Sequence, residues 1–254
     1  MSRSKAGGDM QDCEIQIRRE LAAAYRLIAH FGWDDHVATH LSARLPDGSF
    51  LINQFGQLFD EVTAANLVRV SMQGEVISPA ESVLNPAGFN IHAGIYDARA
   101  DTGSVMHLHT HAGVAVSALE DGLLPLSQTA MIILPDVAYH EFEGIADREQ
   151  ERESLARDLG TKNLLILRNH GTLSVGETIA DAFYRLYCLE WSCITQMSTL
   201  SAGRSVHLPD PVAAAEVGNA IDWSNPKRFS VRAFWPAMLR KAYRIDSTFD
   251  DLTG

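Results

Sequence analysis

Val105-Met106-His107-Leu108-His109, answered by Leu164-Leu165-Ile166-Leu167-Arg168-Asn169-His170-Gly171, is the pair of stretches on which the reading of this chain turns. Each opens as an apolar run of strand length, and a strand sends residues i and i+2 to one face, so His107 and His109 point the same way. His170 falls in the tight turn after the second run. If the two runs end side by side, three imidazole nitrogens meet. A single histidine on a sheet is ordinarily a hydrogen-bonded polar residue, and His-x-His alone is a weak signal. With a third histidine at another strand end, a metal face and a set of structural histidines both stay open. Three neutral imidazoles suit Zn, Fe, Co, Ni or Mn better than Mg or Ca, and they leave positions free for water or substrate, as in catalytic rather than closed structural sites.

At 254 residues with 46% hydrophobic content, the chain is long enough for one large α/β domain with a sizeable core. The net charge of −11 opposes binding to a phosphate backbone, so nucleic acid is not an expected partner. No apolar stretch approaches the ~20 residues that span a bilayer, and no apolar segment follows Arg3 and Lys5 as a secretory signal requires. Neither membrane insertion nor export is expected. Cys13, Cys188 and Cys193 are too few and too scattered for a disulfide framework, which points to a reducing, cytoplasmic setting. Cys188 and Cys193 lie in a long amphipathic segment where a buried thiol, not a ligand, is the ordinary occupant.

Working outward from the histidines, residues 1–12 are expected to be disordered, and Glu14 to Phe31 carries apolar positions at helical spacing with Gly32 as a stop. His40 to Arg44 and Ser49 to Asn53 form a hairpin around Pro46-Asp47-Gly48. Leu67 to Val70 and Glu75 to Ile77 form a second around Gln73-Gly74. After the break at Asn85-Pro86-Ala87-Gly88 a helix runs to Arg99, with His92 on its buried side as a packing residue bonded to the main chain. The strand of His107 follows, then a helix over Ala112 to Leu119. Val137 to Tyr139 is a strand and Arg148 to Leu159 a helix. Asn163 to Arg168 and Thr172 to Val175 make a hairpin whose turn holds His170. Glu177 to Leu200 is a thoroughly packed helix, Ala202 to Arg228 is loop-rich, and a short basic helix spans Trp235 to Ile245. The main domain is placed at 13–225, with 226–254 as a tail packed on it or on a neighbouring subunit.

Gly88-Phe89-Asn90-Ile91-His92-Ala93-Gly94-Ile95-Tyr96, Val105 to His109, and Asn169-His170-Gly171 together resemble the class II aldolase/adducin family. Further motifs are more similar still to the adducin head and its bacterial relatives: Glu61-Val62-Thr63-Ala64, Gly122-Leu123-Leu124-Pro125, Val137-Ala138-Tyr139-His140, and Ser174-Val175-Gly176-Glu177. The likeness runs in order from about Ile15 to Gly203. It implies a three-layer α/β/α sandwich with a large, mostly antiparallel central sheet. It also implies a divalent metal, zinc first and Mn, Co or Fe after it, on His107, His109 and His170, and a homotetramer with active sites between subunits.

The departures from the aldolase pattern bear on function. The resemblance places Pro86-Ala87-Gly88 where sugar-phosphate aldolases carry Ser-Ser-Glu, so Gly88 stands in place of the acid/base glutamate. Phosphate-contact positions fall at His40 and Phe55, and the proton-donating tyrosine lacks a match near Gln128 and Thr129. A small-molecule substrate without a phosphate group is therefore expected, with Phe55, Gly56, Gly88 and Thr129 as its candidate contacts. Candidate proton carriers are His40, His111, His140 and Glu141; each also has a structural role open to it, as a backbone-bonded or solvent-facing group. Three functions follow from different classes. One is a metal-dependent lyase that breaks a C–C bond of an oxo or hydroxy acid or aldehyde, by decarboxylation or retro-aldol cleavage. Another is a non-catalytic, adducin-head-like assembly module. The third is an Fe(II) oxygenase of an aromatic 2-oxo acid.

Overall fold

The computed structural model describes residues 2–144, 149–225 and 227–253. Among them eight strands form one sheet: β1 (His40–Arg44), β2 (Phe50–Ile52), β3 (Val68–Val70), β4 (Val76–Ser78), β5 (Ser104–Leu108), β6 (Val137–His140), β7 (Leu164–Leu167) and β8 (Gly171–Gly176). Their order is β4-β3-β2-β1-β5-β8-β7-β6. Only β6 and β7 run parallel. All three expected hairpins form, and β5 lies between β1 and β8, the neighbour relation that the histidines require.

The helices are α1 (Ser2–Phe31), α2 (Pro86–Ala98), α3 (His111–Ser117), α4 (Gln128–Ile133), α5 (Glu149–Leu159), α6 (Ile179–Ser201), α7 (Pro211–Gly218) and α8 (Trp235–Ile245). Strand alternation divides the core into two layers. Leu41, Ala43, Met106 and Leu108 face α1, α6 and α8, and Leu164 and Ile166 face α3 and α6. Val105, Leu165, Leu167, Leu173 and Val175 face α2 and α5 on the other side. The result is the α/β/α sandwich with a mostly antiparallel sheet. Each such leucine or valine, almost wholly withdrawn from water, contributes about 1.5–3 kcal/mol to burial.

Several sequence expectations are corrected. Residues 2–12, expected to be disordered, continue α1; once Ile17 to Ile28 are packed, each added helical residue costs only propagation, not nucleation. The stretch read as loop between Ala202 and Arg228 contains α7, capped by Asp210, which accepts from Val212 N and Ala213 N at 3.0 and 3.1 Å. The helix expected from Arg148 is described from Glu149, and Arg148 lies outside the described residues. In this chain the C-terminal segment packs on α1: Trp235 Nε1 donates to Glu20 at 3.1 Å, Arg26 pairs with Asp246, and Trp235, Ala242 and Phe249 join the core.

Candidate metal centre

At one end of the sheet β1 begins with His40, β5 ends at Leu108 and β8 begins at Gly171, and the register sets His40 beside His107 and Leu108 beside Thr172. The turn before β8 is specified locally. Asn169 has φ of +56°, a left-handed conformation that asparagine tolerates better than most residues. A Cβ on Gly171 would lie 2.3 Å from the Leu108 carbonyl oxygen, so only glycine lets the strands approach here. His170 N donates to Leu167 O at 3.1 Å, which closes the turn.

The turn delivers His170 to the other two histidines. Nε2 of His107 lies 2.9 Å from Nε2 of His109 and 3.3 Å from Nε2 of His170. Ligands about 2.1 Å from a shared ion stand roughly 3.0–3.4 Å apart at octahedral or tetrahedral angles, so these separations fit a divalent metal. The tautomers agree. His107 Nδ1 donates to Thr172 O at 2.9 Å and His109 Nδ1 to Asp35 at 3.2 Å. Each Nε2 is then left as a lone pair, and lone pairs facing one another repel unless a cation lies between them. Burial holds the pKa of His107 well below the ordinary histidine value, with His109, His170 and His40 adding to the effect. Burial, then His109 and His140, bring His170 down to about 4. Burial lowers His109 too, against the opposing pull of Asp35. Neutral imidazole, the form that binds metal, is favoured throughout.

Two clefts flank the trio. One, of about 430 Å³, has apolar walls that include Val37, Phe55, Ala87 and Phe142, and His40 lines it as well. Among the described residues it is lined by no Lys or Arg. The other, of about 320 Å³, is polar and is lined by Asp34, Asp35 and His111.

His40 is buried, its Nδ1 2.8 Å from Nε2 of His92, and its ring centre is 5.2 Å from that of His107. Burial, then His109 and His170, bring it down to about 3. A Cβ on Gly88 would fall 2.7 Å from His40 Cδ2 and 3.0 Å from Nε2. The imidazole of His40 therefore occupies the space a side chain at 88 would take. His92 is buried as expected, but its partners are the side chains of His40 and Ser42, not the main chain; Ser42 Oγ in turn bonds Tyr96 Oη at 2.7 Å.

The other candidates divide. His140 is buried behind His170, its Nδ1 2.7 Å from Asp158 and its Nε2 without a hydrogen-bond partner. His111 is exposed at the start of α3 and lines the polar cleft. Glu141 and Gly56 are exposed and line neither cleft, although their neighbours Phe142 and Phe55 line the apolar one. Thr129 belongs to a separate aromatic cleft with Tyr184, Tyr187 and Trp191, since α4 packs on α6 and not on the strand ends.

Two residues that sequence reasoning missed support the trio. Asp35 orients His109. Glu190 of α6, fully buried, accepts from the hydroxyls of Thr110 and Thr172, the residues next to His109 and two past His170. Burial raises its pKa and the two threonines oppose that. Thr110 also caps α3 by accepting from Gly113 N at 2.9 Å, so one carboxyl ties both histidine-bearing turns to the same helix. The only sequence signal for Glu190 is a lone acid in the buried stripe of Leu186, Leu189 and Cys193.

Comparison with known proteins follows the same lines. Residues 19–197 match the model of the Class II Aldolase and Adducin N-terminal domain. Alpha-adducin of Mus musculus is 44% identical over 194 residues, which cover 74% of this chain and 26% of adducin, so the likeness spans about a quarter of that protein. An aldolase II superfamily protein from Pseudomonas syringae superposes with a TM-score of 0.87 at 44% identity, over 94% of this chain and 96% of the other. L-fuculose 1-phosphate aldolase from Glaciozyma antarctica superposes with a TM-score of 0.80 at 28% identity, over 92% and 93% of the two chains.

Proposed function

The chain belongs to the class II aldolase and adducin family, and from that premise we propose that it is a divalent-metal-dependent lyase that breaks a C–C bond in a small hydroxy or oxo acid or aldehyde lacking phosphate. The observation that carries this reading is the convergence of three neutral imidazole nitrogens at metal-ligand spacing beside an apolar cleft. His107, His109 and His170 are the ligands, with zinc the first choice for three nitrogen donors and an open position. An ion held there supplies Lewis-acid stabilisation of the enolate charge that develops when a C–C bond breaks. The reading of a substrate without phosphate is supported by the cleft, where a phosphate group would meet Phe55, Ala87 and Phe142 with no guanidinium or ammonium among the described lining residues to pair with.

His40 takes the role that the resemblance to sugar-phosphate aldolases assigns to a glutamate at position 88. Its lowered pKa makes it a poor proton carrier at neutral pH and a suitable neutral hydrogen-bond donor. Tyr96 donating to Ser42, Ser42 to His92 and His92 to His40 form a one-way chain that leaves Nε2–H of His40 aimed at the cleft. There it donates to the substrate oxygen that gains charge. His111, on the polar side, is the solvent-linked group that returns a proton. A homotetramer with sites between subunits belongs to the same reading, since Thr129 lies away from both clefts within one chain.

The test is elemental analysis of untagged protein beside its His107→Ala, His109→Ala double variant, with turnover assayed on a panel of 2-oxo acids, hydroxy acids and hydroxy aldehydes. The expected pattern is one equivalent of metal in the parent, none in the variant, and turnover that chelator abolishes and Zn, Mn or Co restores. Equal metal in both proteins would remove the ligand assignment. A fully loaded parent inert toward every substrate would favour the non-catalytic assembly reading.

A further inference from the structure

A larger cleft, of about 630 Å³, lies at the opposite end of the same strands, where β1 ends at Arg44, β5 begins at Ser104 and β8 ends at Gly176. Four arginines line it in a chain whose net charge is −11. Two of them are committed. Arg99 holds Asp101 through two bonds of 2.7 and 2.8 Å and donates to the carbonyls of Gly160 and Lys162. Arg228 pairs with Asp181 and Glu177.

The other two are less fully paired. Among the described residues Arg44 has no carboxylate partner; its Nη2 donates to the carbonyls of Tyr96 and Arg99, and its buried Nε bonds nothing. Arg185, 6% exposed, gives Nη1 to Val175 O at 3.0 Å, while its buried Nε has no hydrogen-bond partner among the described residues. Asp136 forms a long ion pair with Nε at 3.6 Å, beyond hydrogen-bond reach, and its oxygens are held by Asn163. Thr102, 2% exposed, also lines the cleft with its hydroxyl unpartnered. The orphaned atoms at this end are thus all able to donate, on two guanidiniums and one hydroxyl, which is the complement of an oxyanion. Trp223 lies under the Arg185 guanidinium at 4.5 Å and keeps its plane fixed.

We propose that this cleft is a second ligand site, in which Arg44, Arg185 and Thr102 bind the carboxylate or phosphate group of a small anionic metabolite. It is chemically the inverse of the histidine end and shares no lining residue with it. The two ends of β5 are about 14 Å apart, too far for one small ligand to bridge.

The experiment titrates inorganic phosphate and, separately, succinate into the full chain, read by calorimetry and by tryptophan fluorescence, since Trp223 touches the site. At least one anion is expected to bind saturably, and the His107→Ala, His109→Ala variant is expected to bind it as the parent does. Arg44→Gln is expected to weaken binding about tenfold or more, the loss of a charge-assisted contact. Thr102→Val keeps the side chain's shape and removes only an unpartnered hydroxyl, so it is expected to melt no lower than the parent yet bind more weakly. Preference between the two anions identifies the group recognised. The proposal is overturned if neither anion saturates, if both variants bind as tightly as the parent, or if binding disappears with the two histidines.

Discussion

Strands β1, β5 and β8 carry four imidazoles at one end, His40, His107, His109 and His170, beside a cleft with no Lys or Arg in its described lining. At the other end the same three strands open on four guanidiniums with Asp101, Glu177 and Asp181 among them. Between the two ends both faces of these strands are mainly apolar and carry no charged side chain, the buried hydroxyls of Ser42 and Ser174 being hydrogen-bonded. Buried strands have no room for charge along their length, so charge gathers where the strands give way to turns. The ends differ in how the charge is handled. At the arginine end carboxylates offset most of it, whereas at the histidine end burial suppresses it and leaves neutral nitrogens. One end is therefore held by ion pairs and the other by the refusal of protons, and different perturbations should disturb each.

The largest expected effect strikes the arginine end. Asp181 is 1% exposed, and burial works to raise its pKa; Arg228, Ser230 and Thr178 outweigh this and hold the carboxyl below its ordinary value. Arg228→Met removes the charge that justifies a buried anion, which costs about 3–5 kcal/mol. Denaturant melts should show this, while metal content stays that of the parent. A loss of metal in this variant would mean that the two ends are not independent.

Acid separates the ends in the opposite sense. With a folded-state pKa of about 4 for His170 and about 3 for His40, against 6.5 in the unfolded chain, the unfolded state takes up protons first as pH falls. That stability is complete above pH 6.5 and drains as pH drops from 6.5 toward 4, by roughly 3 kcal/mol for His170 alone. Asp101 and Asp181, whose pKa values are lowered, hold their contribution until pH falls below the unfolded carboxylate value of 3.8. Metal-free protein should therefore lose melting temperature between pH 6.5 and 4.5, and the His107→Ala, His109→Ala variant should lose less. A flat profile in both proteins would break the contrast.

Sequence alone reveals the histidine end better than the arginine end, for a physical reason. His107 and His109 are two apart on one strand, where parity sets their direction, and Asn169-His170-Gly171 is a turn that only certain residues can make. The arginine cleft draws on Arg44, Thr102, Arg185 and Trp223 from four separate segments, and no local period brings these together. The main helices and all three hairpins are legible from their spacing. α4 is six residues long, too short to show a helical period, and α7 hides among prolines although Asp210-Pro211 is a good cap and first-turn pair. Glu190 stands out only as an acid in an apolar stripe, and the sequence does not say that Thr110 and Thr172 await it.

That carboxyl gives the next, smaller effect. Glu190→Ala leaves two buried hydroxyls without their acceptor, at about 2–3 kcal/mol, and loosens both histidine-bearing turns, so on the proposed ligand set metal affinity should fall about 10- to 100-fold. Glu190→Gln keeps an acceptor oxygen and should recover most of the stability. Competition with a chromophoric chelator measures the affinity. Normal affinity in a destabilised Glu190→Ala protein would confine Glu190 to packing.

The smallest effect probes how closely the histidine end is fitted. Any side chain at 88 must share space with His40, whose ring cannot retreat without breaking its bond to His92 and the chain through Ser42 and Tyr96. Gly88→Ala is therefore expected to cost about 1–2 kcal/mol as overpacking. Adding His40→Ala to it should give back that part of the cost, because the two changes compete for one volume and so cannot be additive. The same competition means that Gly88→Glu alone should not gain aldol cleavage of a hydroxy aldehyde, whereas Gly88→Glu with His40→Ala has room for the carboxylate. Turnover in the single variant equal to that in the double would show that His40 does not occupy the place of the missing acid.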